Sequence, residues 1–311
     1  MRRVNLLLCL LMLSACGQQL GDPTENTETV ETSQAPGIYS VNYPLAWAAQ
    51  ELAGDAAEVH FPAPAGIDPA FWQPDINTVA DYQQAELILL NGANYAKWIA
   101  RVSLPQNRLL DTSQGFTDQL IAADTGPLHS HGPEGDHSHG ELAFTVWLDV
   151  SLYSQQVSAI AESLSQRLPE SAELIVQRRN ELLSALRKRD DELTGIGRRL
   201  DGAPLLYSHP VYQYLQRRYQ LNGKALHWEP DQSPADTEWV KLDRLLQSHP
   251  ARIMLWEAEP TAGTRAQLLN RGITPVVLRP MGNRPDSGNY LENLGADTAS
   301  LAAAVRTLTA D

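Results

Sequence analysis

Short apolar runs alternate with amphipathic stretches along the first part of the chain, beginning at Gly37. The run 87–90 is apolar at every position, which is typical of a strand covered on both faces. Strands that alternate with helices predict a parallel sheet flanked by helices. The predicted strands are 38–41, 57–61, 87–90 and 108–111, and the predicted helices are 45–52, 78–85 and 95–102.

The middle of the chain is predicted to be helical. One helix covers 151–168, and after Pro169 a longer one continues to about Leu200. At about 1.5 Å per residue the longer helix extends roughly 45 Å, enough to run the height of two lobes. Its charged positions indicate a solvated face. Its apolar residues recur at spacings of three, four and seven and form the opposite face: Ile175, Leu182, Leu186, Leu193, Ile196 and Leu200.

A second alternation of strands and helices follows the long helix. The predicted fold is therefore α/β, with two lobes that each contain a parallel-type sheet flanked by helices, joined by one long linking helix. We expect an N-terminal lobe at 37–148, a helical region at 149–200 and a C-terminal lobe at 201–311. The later strands are predicted at 205–208, 225–228, 253–256 and 275–278, and the later helices at 211–219, 238–248, 265–271 and 298–308.

The N-terminus has the pattern of a targeting segment. Two arginines precede the apolar stretch 6–13, which is too short to span a bilayer, and the motif Leu-Ser-Ala-Cys ending at Cys16 resembles a bacterial lipobox. We expect a signal peptide at 1–15, a lipid on Cys16 and a disordered tether at 16–36, so that the protein is periplasmic or extracytoplasmic and membrane-anchored. The alternative is an ordinary signal peptide with an incidental cysteine.

Composition and charge exclude some classes of function. The chain has 311 residues, of which 43% are hydrophobic and 20% are charged, as in ordinary globular proteins. Its net charge of −13 argues against a nucleic-acid partner, since phosphates require a basic face. The only cysteine besides Cys16 is Cys9, which lies in the predicted signal peptide. A cysteine-based metal site or nucleophile in the mature chain is thereby excluded.

A histidine-rich run lies in the predicted loop 124–142. Glycine and proline interrupt residues 129–140, and two carboxylates, Glu134 and Asp136, lie between the histidines. Short histidine-rich tracts are typical of zinc binding. A solvated polar loop and an expression tag are the alternatives, but the run is internal and interrupted, which disfavours a tag. It holds four of the eight histidines of the chain: His129, His131, His137 and His139.

Four further candidate ligands follow predicted strands. His60, His209, His227 and Glu257 each lie at or just beyond the carboxyl end of a strand, where open α/β sheets bind their ligands. They come from both lobes, so they can meet in one cleft. A single histidine at a strand end is more often structural, and the case rests on several of them together with the loop.

Motifs of enzymes are missing from the sequence. No G-x-S-x-G element surrounds Ser208, no P-loop or dinucleotide-binding glycine motif follows a strand, and no H-E-x-x-H helix occurs. We therefore expect a binding protein and not an enzyme.

Five segments together point to a known family. The chain resembles the metal-binding solute-binding proteins of bacterial zinc and manganese ABC importers over roughly residues 38–308. This resemblance implies a two-lobed α/β receptor with a rigid linking helix and a metal site between the lobes. The segments that carry it are 39–45, 64–69, 85–92, 146–149 and 208–215.

The sequence departs from the family at three of its four usual ligands. Ala70, Thr145 and Arg279 stand where the resemblance implies histidine, histidine and an acidic residue, and only His209 is retained. One hypothesis is a relocated site: His60 replaces the first ligand, His137 or His139 the second, and Glu257 or His227 the last. The other is a receptor that has lost the metal site, in which Arg279 repels a cation or holds an anion.

The relocated site is the interpretation that we carry forward. We expect a lipid-anchored, monomeric receptor that binds zinc, or alternatively manganese, and delivers it to an ABC importer permease. Its metal ligands come from His60, His137, His139, His209, His227 and Glu257, while His129 and His131 capture further metal in the loop. The alternative is a receptor of the same fold that binds another ligand or serves in metal storage or adhesion.

Overall fold

Two parallel four-stranded sheets form the framework of the protein. The computed structural model describes residues 37–123, 129–130, 136–137 and 142–308. The strands of the first sheet are β1 (Gly37–Ser40), β2 (Glu58–His60), β3 (Leu87–Leu90) and β4 (Leu109–Asp111). Two short strands, β5 (His129–Ser130) and β6 (Asp136–His137), pair separately. The strands of the second sheet are β7 (Pro204–Tyr207), β8 (Asn222–Ala225), β9 (Ile253–Trp256) and β10 (Thr274–Val277). The first sheet has the order β2-β1-β3-β4 and the second β10-β9-β7-β8, and every neighbouring pair in both is parallel.

Helices cover the sheets, as the alternating pattern predicts. The helices are α1 (Tyr43–Ala53), α2 (Ile76–Gln84), α3 (Val150–Arg167), α4 (Ala172–Leu200), α5 (Gln213–Tyr219), α6 (Asp236–Ser248), α7 (Ala262–Asn270) and α8 (Tyr290–Leu308). None of them, within the described ranges, has both the length and the apolar character that a membrane crossing requires. The predicted signal peptide, the tether and Cys16 lie outside the described residues.

The long helix α4 is confirmed, and its predicted apolar face is buried. A 3-10 turn at Pro169–Ser171 precedes it. The helix continues through Gly195 and Gly197, and a Cβ at Gly197 would overlap the carbonyl oxygen of Tyr219. The glycine therefore serves the close approach of α4 to the end of α5.

One large apolar core joins the two sheets. It includes Leu45 of α1, Ile160 of α3, Leu186 of α4 and Val305 of α8, each fully shielded from solvent. A second cluster covers the other face of the C-terminal sheet and is built around three tryptophans: Trp228, Trp239 and Trp256. All described residues belong to one compact unit.

Three predicted elements are corrected by the structure. The helix predicted at 95–102 is a 3-10 turn at Lys97–Arg101; Ala96 has a positive φ, which no α-helical residue adopts, and Ala93 and Asn94 just before the predicted range have one too. The strand predicted at 225–228 lies earlier in the chain: β8 ends at Ala225, the residue at which the predicted strand begins. It lies at the sheet edge and is mostly exposed, so it carries no apolar signal.

The last helix begins eight residues before the predicted start at 298. Asn289 accepts a hydrogen bond from the Glu292 backbone N–H at 3.0 Å, and the Glu292 carboxylate accepts one from the Asn289 N–H at 2.9 Å. This reciprocal pair is a capping box, and it stabilises the start of α8.

Candidate metal-binding site

The carboxyl ends of the C-terminal strands gather the candidate ligands. His209 follows β7, His227 follows β8 and Glu257 follows β9 directly. Backbone hydrogen bonds extend the sheet beyond these ends, since Ser208 N–H donates to Leu255 O and Trp228 N–H donates to Ser208 O, each at 2.8 Å. The loops that carry the candidate side chains are therefore held at one edge of the sheet, as the strand pattern predicts.

His209 is the centre of this group. Its side chain is 9% exposed, and its Nδ1 lies 3.4 Å from Glu257 Oε1. Its Nε2 lies 3.9 Å from Glu229 Oε1. The His227 ring meets it edge-on, with ring centroids 5.8 Å apart. Imidazole and carboxylate groups so arranged are ligand types that zinc accepts.

Glu257 is held in an environment that disfavours its charge. Burial, together with the negative charges of Glu229 and Asp68, raises the pKa of this carboxyl to about 8. In the metal-free protein at neutral pH the carboxyl is therefore mainly protonated. A cation bound here would favour the ionised form and release the proton.

A cavity of about 420 Å³ opens beside Glu257. Its walls come from residues before the linking helix, among them Asp68, Tyr95 and Thr145, and from residues after it, among them Arg279. Trp147 also lines it, and the indole N–H of this residue donates to Pro280 O at 2.6 Å. The cavity is thus lined by polar and aromatic side chains from both halves of the chain.

The three residues that stand in place of the usual family ligands each make a local hydrogen bond or ion pair. The buried Ala70 donates its backbone N–H to Asp68 Oδ1 at 2.9 Å. The Thr145 hydroxyl donates to Val211 O at 2.6 Å. Arg279 is paired with the buried Asp297, whose Oδ1 lies 2.9 Å from the guanidinium. Because Asp297 balances it, Arg279 does not present an unneutralised positive charge to the cavity.

His60 has different neighbours. Its ring stacks on Tyr39 with centroids 4.6 Å apart, and its Nε2 lies 3.6 Å from Glu58 Oε2. Tyr39 in turn packs against Tyr82 of α2. The structure therefore brings His209, His227 and Glu257 together, while His60 makes its contacts on the α2 side of the first sheet.

The histidine-rich loop is closed at its base next to the cavity. Ala122 and Leu142 form an antiparallel bridge, and Ala143 N–H donates to Ile121 O at 2.8 Å. Within the loop, β5 (His129–Ser130) and β6 (Asp136–His137) pair with His129 opposite His137. His131 and His139 lie outside the described residues.

Three acidic residues that sequence reasoning did not select lie around the candidate site: Asp68 lines the cavity, Glu229 lies beside His209, and Asp297 pairs with Arg279. Asp68 lies in the segment 64–69 that carries the family resemblance, and Glu229 directly follows the predicted strand 225–228, so both had a usable signal, whereas Asp297 had none. Among the residues with described positions, no group of three or more His, Cys, Asp or Glu side chains is arranged to hold a metal ion. In this arrangement the described side chains do not by themselves form a complete metal site.

Comparison with known proteins identifies the family. Residues 38–304 match the family of ZnuA, the periplasmic component A of the zinc-uptake complex. The chain belongs to this family. The family comprises substrate-binding receptors of ABC importers and not enzymes, and its members work with importer permeases. The predicted resemblance to metal-binding receptors of ABC importers is thereby confirmed.

Individual relatives are distant. The high-affinity zinc uptake protein ZnuA of Bacillus subtilis (strain 168) is 21% identical over 298 residues, covering 93% of this chain and 88% of the relative. The zinc-binding lipoprotein AdcA of Streptococcus pneumoniae (strain ATCC BAA-255 / R6) is 25% identical over 299 residues, covering 90% of this chain and 56% of AdcA. The chain therefore spans little more than half of AdcA. The manganese-binding lipoprotein MntA of Halalkalibacterium halodurans is 23% identical over 226 residues, which cover 70% of this chain and 67% of MntA.

Solved structures share the fold. The metal-dependent lipoprotein YcdH from Bacillus subtilis has a TM-score of 0.73 at 18% identity, covering 86% of this chain and 99% of YcdH. Zn(II)-bound AdcA from Streptococcus pneumoniae has a TM-score of 0.72 at 18% identity, covering 88% of this chain and 58% of AdcA. The predicted two-lobed α/β fold with a linking helix is thus confirmed.

Proposed function

We propose that this protein is an extracytoplasmic receptor that binds a divalent metal in the cleft between its lobes and delivers it to an ABC importer permease. Zinc is the proposed metal, because imidazole-rich ligation favours it over manganese. The observation that carries the proposal is the approach of His209 Nδ1 to within 3.4 Å of Glu257 Oε1 beside a cavity with walls from both halves of the chain. The zinc-binding relatives support the choice of metal.

His209 and Glu257 are the proposed anchors of the metal. His227 and Glu229 lie close enough to His209 to join or orient the shell. We propose that the loop supplies a further ligand through His137 or His139, and that His129 and His131 capture metal more weakly. The base of the loop at Leu142 is three residues from Thr145 in the cavity wall, so a few extended residues reach the cavity.

The competing function is a receptor that has lost metal binding. Arg279 motivated this alternative, because it stands where the family resemblance implies an acidic ligand. Its pairing with Asp297 weakens the argument, since the positive charge is already balanced. A metal-storage or adhesion protein is a further alternative, and such a protein would show several weak sites and no tight one.

The lobe bounds 37–148 and 201–311 and the lipid on Cys16 are also part of the proposal. A tethered lipid anchor would hold the receptor close to its permease. Mass spectrometry of the protein from bacterial membranes tests the anchor, because a lipidated Cys16 begins the mature chain and adds the mass of its acyl groups.

Titration of the metal-free mature protein with zinc tests the metal site. We expect one tight site, and a loss of roughly a hundredfold in affinity for His209→Ala because an anchoring ligand is removed. Replacing residues 124–141 by a Gly-Gly turn should remove the weak sites and weaken the tight one. Affinity should also fall as the pH drops below about 8, since the metal must displace the proton of Glu257, and more steeply below about 6.5, since metal binding also needs neutral imidazole.

Two histidine variants serve as comparisons. His249 is the one histidine outside the predicted set, and its Nε2 is hydrogen-bonded to Leu205 O at 2.8 Å. His249→Gln should bind zinc as tightly as the unaltered protein. His60→Ala should lower the affinity less than threefold, because its contacts are with Tyr39 and Glu58. Tight binding that survives His209→Ala would contradict the proposed site.

A further inference from the structure

The cavity beside Glu257 is much larger than a bare metal ion requires. Zinc ligands lie about 2.0–2.3 Å from the ion, so a fully liganded ion leaves almost no open volume. The cavity measures about 420 Å³, which is within the range of sites that hold small organic molecules. At about 30 Å³ for one water molecule, many waters or one small molecule would fill it.

Positive charge lines the same cavity. Arg284 lies in the loop after β10, and its guanidinium donates to Phe61 O at 2.7 Å and stacks 4.6 Å from the centroid of the Phe61 ring. Among the residues that the structure places, no carboxylate forms an ion pair with it. The neighbouring Asn283 donates to Pro64 O at 2.6 Å and to Ile67 O at 2.7 Å. These bonds hold Arg284 at the cavity wall with donors still available.

Tyr95, which also lines the cavity, has a buried hydroxyl. Tyr95 is 7% exposed, and within the described part of the chain its hydroxyl has no hydrogen-bond partner. Phe144 and Trp147 pack edge-on against its ring, at centroid distances of 5.4 and 5.8 Å, and fix its direction. A buried hydroxyl left without a partner costs free energy, which a ligand that accepts its hydrogen bond would recover.

A free anion does not suit this cavity. Asp68 and Asp286 line it together with Arg284, whereas the charge of Arg279 is already balanced by Asp297, so both signs of charge are present. A cation with its own anionic ligands matches such a surface, because each charge finds its complement. It would also complete a coordination shell for which the described side chains offer too few donors.

We propose that the cavity takes its metal as a complex with a small polycarboxylate chelator. This inference rests on the proposed function. The metal lies at His209 and Glu257, and the chelator carboxylates accept hydrogen bonds from the Arg284 guanidinium and the Tyr95 hydroxyl. A tridentate chelator suits this arrangement, since it leaves coordination positions open for the protein.

Competition titrations distinguish the outcomes. The metal-free protein is titrated with zinc alone, with citrate or iminodiacetate alone, and with the zinc complex of each. We expect a zinc complex to bind at least tenfold more tightly than zinc alone, and native mass spectrometry to show protein, zinc and chelator together. Neither chelator alone should bind at comparable concentration.

Variants test the contact with the chelator. Arg284→Gln and Tyr95→Phe should each reduce the affinity ratio between chelated and bare zinc by at least fivefold. Arg244→Gln, an exposed arginine on α6 that does not line the cavity, should leave that ratio unchanged.

Each negative result of these titrations leads to a different conclusion. If zinc binds equally tightly whether or not a chelator is present, and neither chelator is retained in the mass spectrum, the inference is overturned and the proposed function stays intact. A chelator that binds equally well without metal also overturns it, in favour of an anion site. If no form of zinc binds, the proposed function itself fails.

Discussion

Replacing Glu257 with glutamine should stabilise the metal-free protein, and more so as the pH rises. Glutamine has nearly the size of a protonated glutamic acid and cannot ionise. Burial and the charges of Glu229 and Asp68 raise the pKa of Glu257 from its ordinary 4.5 to about 8. The folded protein therefore holds a proton that the unfolded chain loses between these two pH values.

The sign and size of the effect follow from proton linkage. Below pH 4.5 the carboxyl of Glu257 is protonated in both states and does not affect stability. As the pH rises toward 8, ionisation of this carboxyl lowers the free energy of the unfolded state but not that of the folded state, so the free energy of unfolding falls. The full shift corresponds to about 5 kcal/mol. Because 27% of the side chain is exposed, we expect about 2–3 kcal/mol.

Urea unfolding at pH 5, 6.5 and 8.5 measures this effect. The free energy of unfolding of Glu257→Gln should exceed that of the unaltered protein by an amount that grows with pH and levels off above about pH 8. Glu259→Gln is the matched control, since Glu259 is 63% exposed and pairs with Arg265 at 2.7 Å. A difference that stays constant or shrinks with rising pH would show that the folded protein does not raise the pKa of Glu257.

Two further predictions concern stability. Gly223→Ala should destabilise the protein by about 1–3 kcal/mol, because a Cβ there would overlap the buried Tyr207 ring; Gly263→Ala in α7 meets open space and should be neutral or stabilising by up to about 1 kcal/mol. Asp297→Ala should lower the free energy of unfolding in urea by about 2–4 kcal/mol. The Asp297 carboxylate is 3% exposed, and its removal leaves the Arg279 guanidinium and backbone N–H without their partner. Asp243→Ala removes a surface partner of Arg271 and should cost less than about 1 kcal/mol; equal losses for the two aspartates would contradict the role of burial.

Most of the fold could be predicted because burial leaves a clear pattern in the sequence. β3 and β9 are apolar at every position, and the stripe along α4 repeats at helical spacing. The edge strand β8 has no such pattern, since its residues are mostly exposed. The start of α8 could have been found from the Asn289-to-Glu292 spacing of its capping box.

The candidate site was predictable only in part. His209 and Glu257 lie together because β7 and β9 are neighbours in one parallel sheet, a relation that follows from topology. The pairing of Arg279 with Asp297 joins residues 18 positions apart across a loop, and no local pattern marks it. His60 shows the limit of arguing from strand ends alone. Its register opposite Tyr39 decides which face of the sheet its ring occupies.

Anomalous scattering at the zinc absorption edge, from crystals grown with zinc, locates the bound metal and its ligands. We expect one strong peak about 2.0–2.2 Å from a His209 ring nitrogen and a Glu257 carboxylate oxygen. A strong peak at other residues, with His209 and Glu257 uncoordinated, would contradict the proposed site.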